Sequence, residues 1–308
     1  MSMSVKLDIE HEQKRMTPLP RSHQTTSPNR KRIILRRIVN NRLALIGIIL
    51  VSLVIMVAIL APVLAPFDPL EMKVQDRLKA PSAEHWFGTD DFGRDVLSRV
   101  IYGSQTSMMI GATVVVITSI LGLVLGLYSA YYRHLDNLLM RISDGLMAFP
   151  AILLAIAIMA AMGPRIESVI TALSIVYTPT VARTVRSAAL VLRELTYIEA
   201  IRSLGGKPWR IIWLHIAPNC LSPLIVQATF IFAYAIIIEA SLSFLGAGTP
   251  PPAPSWGNII NDGKTLLREA WWMSMFPGIA IMITVLGLNL LGDGLRDLLD
   301  PHTSKSKK

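Results

Sequence analysis

Long runs without charged residues dominate the pattern of apolar and polar positions in this chain. Six runs occur, and five of them have about the 20 residues that an α-helix needs to cross roughly 30 Å of hydrocarbon. The runs are Leu43 to Phe67, Val100 to Tyr132, Gly145 to Gly163, Ser168 to Ala182, Ile211 to Ile238 and Ala270 to Gly292. The pattern predicts an all-α, polytopic membrane protein.

The fourth run, Ser168 to Ala182, is shorter than the others and contains Pro179. On length alone it could be re-entrant or interfacial. The cations favour a crossing, because six spans with both termini inside place 22 of the 30 Lys and Arg residues on the cytoplasmic side. We therefore predict six transmembrane helices with cytoplasmic N- and C-termini.

This topology divides the chain into successive regions. They are a disordered basic cytoplasmic tail (1–34), a first transmembrane helix (35–67), an outer segment (68–99), a core of five transmembrane helices (100–292) with a cytoplasmic loop (183–219), and a cytoplasmic tail (293–308). The first apolar run is too long for a signal-peptide core, so we expect it to remain as a membrane anchor.

Composition agrees with a membrane protein, since 52% of the residues are hydrophobic and 17% are charged. The net charge of +9 lies on the predicted cytoplasmic flanks, where it is explained by topology and contact with lipid rather than by nucleic acid. Cys220 is the single cysteine, which excludes an internal disulfide.

No motif for phosphate binding, zinc binding or serine hydrolysis is complete in this sequence. Gly206-Lys207 is followed by Pro208, and Gly263-Lys264-Thr265 has no Gly at the spacing that a phosphate-binding loop requires. The six histidines are scattered, without the spacing of a zinc-binding helix, and no serine hydrolase elbow occurs. We predict no catalytic residues, no metal and no cofactor.

Three ionisable residues lie in or beside the predicted spans. Asp144 and His215 fall near the inner face and Glu239 near the outer face, so we do not expect them to act together. Asp144 is interpreted as an anion at a helix N-terminus. An acid within a span usually faces a partner or a cavity, which leaves Glu239 two roles, a structural pairing or a place in a transport pathway.

The two predicted outer segments are rich in turn residues. Gly88 and Gly93 predict turns, Thr89 or Asp90 is expected to cap the next helix, and Arg94 is expected to neutralise the neighbouring carboxylates. In the second segment, the prolines at 250–252 and 254 predict a stiff connector that could contact an external partner. Three tryptophans are expected at the outer membrane interface: Trp256, Trp271 and Trp272.

A basic elbow separates the fourth and fifth runs. The pattern predicts a helix from about Val185 to Leu204 that ends at Gly205-Gly206, and Pro208 suits the first turn of a second helix through Trp213. One interpretation is an amphipathic segment on the inner leaflet. The other is a handle for a soluble partner.

The elbow resembles the Glu-Ala-Ala loop of permease subunits of bacterial ATP-binding-cassette importers. Glu199-Ala200, Gly205 and Pro218 match its pattern, whereas Ile201, His215 and Ala217 depart from it. The resemblance implies a type I permease fold and a loop that docks on a cytoplasmic ATPase. The residues expected to couple to the ATPase are Glu199, Ala200, Arg202, Gly205, Gly206, Pro208 and Pro218.

Further motifs are similar to the dipeptide, oligopeptide and nickel branch of these importers, and most closely to its second permease. They are Gly88-Thr89-Asp90, Gly93 to Arg99, Glu239 to Gly246, Trp256-Gly257, Gly292 to Asp297 and Asp300-Pro301. The resemblance implies a non-enzymatic inner-membrane subunit with three kinds of partner: a homologous second permease, two cytoplasmic ATP-binding subunits and an extracytoplasmic solute-binding protein.

The sequence does not identify the transported solute. Dipeptides or oligopeptides are expected from the resemblance, and nickel or another small solute is the alternative within the same importer class. An ion-coupled secondary transporter with Glu239 as ion carrier is the alternative from another class.

Overall fold

The computed structural model describes residues 41–299, and in this range the protein is helical with one isolated bridge between Thr89 and Asp95. The predicted tail 1–34 and the Asp300-Pro301 motif lie outside the described residues. The helices are α1 (Arg42–Ile59), α2 (Ala61–Leu64), α3 (Val96–Tyr131), α4 (Arg133–Met147), α5 (Ala151–Met162), α6 (Ile166–Arg193), α7 (Thr196–Ser203), α8 (Pro208–Phe244), α9 (Trp256–Gly263) and α10 (Trp272–Leu299). A 3-10 turn lies at Val74–Asp76.

Four described helices, α1, α3, α8 and α10, are long and apolar enough to cross a membrane. Helices α4 and α5 meet at a bend of 94° and form a fifth candidate if the pair is one span. Helix α6 runs unbroken through Pro179 for 28 residues, about 42 Å, although it carries more polar and charged residues than the other long helices. The fourth predicted run is therefore part of a continuous helix.

The third predicted span begins later than expected. Gly145 belongs to α4, and the apolar helix α5 begins after Pro150, which has no amide hydrogen and disfavours a helical conformation of the preceding residue. Asp144 consequently lies near the C-terminus of α4, so its predicted place at a helix N-terminus is wrong.

Small residues let the long helices approach closely. A Cβ added to Gly126 of α3 would lie 2.6 Å from the carbonyl oxygen of Ala182 in α6. A Cβ on Gly294 of α10 would lie 2.5 Å from the Cα of Ala44 in α1. Close contact between backbones is the usual source of helix association in a bilayer, where apolar burial gives little driving force.

The loop before α3 contains the two predicted turns, since Gly88 and Gly93 have φ angles of +72° and +74°. The predicted cap is wrong, because Asp95 rather than Thr89 or Asp90 accepts a hydrogen bond from the Ser98 amide, at 2.7 Å. The turn at Gly93 separates residues 89 and 90 from the start of the helix, and a cap must lie directly before it.

Two of the three tryptophans expected at the membrane interface are buried. The indole nitrogen of Trp256 donates to the Val100 carbonyl, and that of Trp272 donates to the Thr89 carbonyl, both at 3.0 Å. Trp271 is exposed. The prediction failed for Trp256 and Trp272 because an indole whose N–H has a partner can fill a protein core as well as an interface.

Candidate functional site

The elbow folds as two helical pieces joined by a turn, and we call residues 194–216 the hook. Helix α6 ends at Arg193 and α7 begins at Thr196, so the predicted single helix from Val185 to Leu204 is broken at Glu194-Leu195. At this break the Arg193 guanidinium donates to Glu194 at 2.9 Å and to the Ala130 carbonyl at the end of α3 at 2.7 Å.

Gly205 and Gly206 end α7 as predicted. The Gly205 amide donates to the Arg202 carbonyl at 3.0 Å, and the Gly206 amide donates to the Ile201 carbonyl at 2.9 Å. Gly205 has a φ of +80°, which glycine adopts at little cost. A Cβ on Gly206 would lie 2.6 Å from Ile201 Cγ2 and 2.8 Å from the Ile201 carbonyl oxygen, so the turn favours glycine at both positions.

The second half of the hook contains a π-helical segment at Ile211–Ile216, directly after Pro208 at the first turn of α8. Ile211, Ile212 and Ile216 are buried, whereas Trp213 and Leu214 are exposed. Ile216 rather than His215 therefore points into the protein. The sequence contains no local signal for the wider π turn.

The hook leaves most of its predicted coupling residues exposed. Ile198 is fully buried and anchors α7. The exposed members of the predicted set are Glu199, Ala200, Arg202, Gly205 and Pro208 in the hook and Pro218 just after it, whereas Gly206 is half-buried. Six large hydrophobic side chains are exposed in the same segment, and the most exposed of them are Leu204 at 88% and Trp209 at 58%.

Three of the six Lys and Arg residues between 183 and 219 form hydrogen bonds within the protein, and Arg193 has been described above. Arg186 of α6 makes two hydrogen bonds with the Asp136 carboxylate of α4, at 2.5 and 2.7 Å. Arg183 binds Asp144 at 2.5 Å. The Arg186 and Arg183 pairs hold the amphipathic helix α4 against α6. Because these cations are paired within the protein, the elbow presents fewer cations to a partner than its number of Lys and Arg residues indicates.

Glu239 is fully buried at the opposite end of α8 from the hook. Its Oε1 accepts from Ser243 Oγ at 2.9 Å and Thr249 Oγ1 at 3.0 Å, and its Oε2 accepts from Ser107 Oγ at 3.3 Å. Among residues 41–299 no cation pairs with it. The carboxylate thus joins α8, α3 and the connector before α9, while His215 lies about 36 Å away along the helix.

A second buried network joins the loop before α3 to α9. Arg94 binds Asp90 at 2.6 Å, as predicted, and Arg94 and Arg99 both bind Asp262, at 3.3 and 3.1 Å. Burial raises the pKa of the Asp262 carboxyl, and Arg99 and Arg94 act in the opposite direction. Sequence reasoning missed Asp262, because it lies 163 residues from Arg99 and belongs to no motif.

Two family profiles match the chain. Residues 120–305 match the family described as "Binding-protein-dependent transport system inner membrane component". Residues 30–81 match the "N-terminal TM domain of oligopeptide transport permease C".

Similar proteins carry the names of peptide permeases. A protein of Brucella abortus biovar 1 (strain 9-941), provisionally named as a peptide transport system permease, is 54% identical over 267 residues, 87% of this chain and 90% of its own. The dipeptide transport system permease protein DppC of Alkalihalophilus pseudofirmus is 45% identical over 300 residues, 96% of this chain and 99% of its own. The di/tripeptide transport system permease protein DppC of Pseudomonas aeruginosa is 40% identical over 269 residues, 85% and 89% of the two chains.

Among solved structures, the fold is similar to the inward-facing MetNI methionine ABC transporter. The TM-score is 0.55, over 65% of this chain and 96% of that chain. At 20% sequence identity the likeness concerns the fold alone.

The fold and the sequence matches together define a permease subunit of the ATP-binding-cassette importer class, a multi-pass protein of the bacterial inner membrane. The chain belongs to the family of binding-protein-dependent transport system inner membrane components. Its relatives are named as permeases rather than catalytic subunits, and the predicted resemblance to this importer family is confirmed.

Proposed function

We propose that this chain forms half of the translocation pathway of an ATP-driven importer of dipeptides or oligopeptides. A homologous permease supplies the other half, two cytoplasmic ATP-binding subunits supply the energy, and an extracytoplasmic binding protein delivers the solute. The observation that carries the proposal is the exposed hook in a chain of this family that has no complete nucleotide-binding motif. The names of the relatives at 40–54% identity support peptides as the solute.

The hook is proposed to dock on an ATP-binding subunit. A segment that exposes Leu204 and Trp209 together with Arg202, Lys207 and Arg210 has an apolar surface that favours a partner. Closure of the ATPases would move the hooks of the two permeases, and the motion would reach the membrane helices through α6 and α8, which directly adjoin the hook. The pathway would then open alternately to the two sides.

Cross-linking tests this docking against the alternative of a hook inserted in the inner leaflet. In a Cys220→Ser background, Ala200→Cys and Leu204→Cys should cross-link through a short bismaleimide to the ATP-binding subunits of the assembled importer. Leu138→Cys, exposed on α4, is the control and should not cross-link. Absence of cross-links at both hook positions would contradict docking.

Uptake and hydrolysis test the division of labour. The importer reconstituted in liposomes with its binding protein should take up a labelled dipeptide only when ATP is present, and the purified chain alone should not hydrolyse ATP. Uptake driven by a proton or sodium gradient without ATP would instead favour the ion-coupled transporter. Uptake of nickel, with no uptake of peptides, would retain the importer class and change the solute.

Glu239 is proposed as a structural anchor rather than an ion carrier. Three hydroxyl donors already surround its carboxylate, and they come from α3, α8 and the following connector. A carboxylate that exchanged ions with a pathway would need access to water, which full burial does not provide.

A further inference from the structure

A cavity of about 500 Å³ opens between α6, α8 and α10, in the half of α6 and α8 that adjoins the hook. Its lining includes the side chains of Thr184, Ser222, Gln227 and Arg296 beside apolar groups such as Phe230. Pockets for small ligands commonly have volumes of roughly 300–1,000 Å³ and combine an apolar wall with a few polar groups. Size and lining therefore suit a small polar solute.

Gln227 has hydrogen-bonding capacity that the described residues do not use. It lies within the run from Ile211 to Ile238, which has no charged residue before Glu239. Its one side-chain hydrogen bond within the described residues is a long one, 3.5 Å from Thr184 Oγ1, and the single proton of that hydroxyl has a nearer acceptor in the Thr180 carbonyl at 3.1 Å. A side-chain amide offers two donors in addition to its acceptor, and an unpaired polar group in a span is costly.

A second cavity has a less polar lining. It measures about 350 Å³ and lies between α3, α4 and α6, and eight apolar residues line it beside four hydroxyl residues, with no amide or charged side chain. That lining suits hydrocarbon. Polar groups of membrane helices usually face the bundle interior or a water-filled cavity, which favours the cavity at Gln227 as the aqueous one.

We propose that Gln227 and Thr184 contact the solute in the translocation pathway, with the Gln227 amide bonding to the peptide groups of a passing peptide. A primary amide can donate to a peptide carbonyl and accept from a peptide N–H at the same time, so it suits peptides of different side chains. The lining has one cation, Arg296, and no carboxylate among its described residues, which disfavours cationic solutes. This assignment rests on the proposed function as a peptide importer.

The test uses the complete importer in liposomes, with its binding protein and with labelled dialanine and tetraalanine as probes. Gln227→Leu and Thr184→Val should each lower ATP-dependent uptake by about fivefold, as expected for one lost hydrogen bond. Hydrolysis of ATP stimulated by the binding protein should remain near the wild-type rate. Thr171→Val is the matched control, because Thr171 lies on the same helix but lines the apolar cavity, and it should transport normally.

A labelling experiment keeps the assignment testable if those variants fold poorly. In a Cys220→Ser background, Gln227→Cys should react with a charged, water-soluble methanethiosulfonate, and Thr171→Cys should react much more slowly. Wild-type uptake by both Gln227→Leu and Thr184→Val, or no labelling at position 227, would overturn the assignment alone. Failure of the wild-type importer to take up either peptide would overturn the peptide function itself.

Discussion

At the residue scale, two positions differ in what limits their replacement. Gly205 has a φ of +80° and open space around its missing Cβ, so a side chain there is limited by backbone strain and not by a clash. Glu239 is enclosed on all sides, so its replacement is limited by the hydroxyl donors that it leaves behind. Replacement of Gly205 tests the coupling role of the hook, and replacement of Glu239 tests its role as a structural anchor.

Gly205→Val should reduce coupling while leaving membrane insertion intact. A left-handed conformation costs a residue with a Cβ about 1–2 kcal/mol, and a β-branched side chain is among the least tolerant. We expect a severalfold loss of ATP-dependent uptake at a normal amount of protein in the membrane. Gly205→Asn is the control, because Asn adopts this conformation more readily, and normal uptake by the valine variant would contradict a coupling role for the turn.

Glu239→Leu should destabilise the protein, because three buried hydroxyls would lose their acceptor at a cost of about 1–3 kcal/mol for each group left unpaired. Glu239→Gln keeps an acceptor oxygen and should retain most of the stability and the uptake. Ser241→Ala is the control, since that exposed hydroxyl bonds only to the Ile237 carbonyl of its own helix. Thermal unfolding of the purified chain in detergent measures the difference, and loss of uptake in a stable Gln variant would favour a pathway role.

At the element scale, α4 is tied to α6 by pairs of opposite charge. The Arg186–Asp136 pair is bidentate and its side chains are 28% and 21% exposed, whereas the Arg183–Asp144 pair is 47% and 62% exposed. Geometry and shielding from water both make the first pair the stronger one. Because α6 leads into the hook and α4 leads into α5, this contact also joins the hook to the bent helix pair.

Arg186→Gln should therefore destabilise the α4–α6 contact by about 1–3 kcal/mol, and Arg183→Gln by at most about 1 kcal/mol. Thermal unfolding in detergent provides the comparison. Exchange of the two charges, Arg186→Asp with Asp136→Arg, should restore part of the loss. Equal effects of the two single variants would show that the bidentate, partly shielded geometry contributes nothing.

At the scale of the whole molecule, the predicted six crossings with both termini in the cytoplasm would place the hook and the Pro-rich connector on opposite sides of the membrane. The described residues contain four or five candidate spans by length and composition, and α6 is the further long helix. Its polar content is consistent with a helix that lines a pathway instead of facing lipid on all sides.

Topology reporters test this arrangement. A reporter at Lys207 should be cytoplasmic, and one at Pro252 should be extracytoplasmic. Pro252 is exposed and is a better site than the buried Trp256. Detection of both reporters on the same side would refute six crossings, and reversal of both would refute the predicted orientation.

Some features of the hook could be predicted from the sequence and others could not. The turn at Gly205-Gly206 and the helix start at Pro208 were predictable because each depends on the backbone preferences of one or two residues. The break at Glu194-Leu195 and the π turn at Ile211–Ile216 were not, because neither segment contains a glycine or proline whose backbone preference would mark it. Asp144 was misplaced because one proline changed the helix to which it belongs.

The sequence by itself determined the apolar runs, the all-helical class and the position of the elbow, because hydrocarbon thickness and local backbone preference act on consecutive residues. Only the tertiary structure decided that Trp256 is buried, that Asp262 pairs with Arg94 and Arg99, and that Glu239 is enclosed by hydroxyls. The same holds for the cavity at Gln227. Each of these features depends on groups brought together from distant parts of the chain, and the packing of the long helices alone sets their separation.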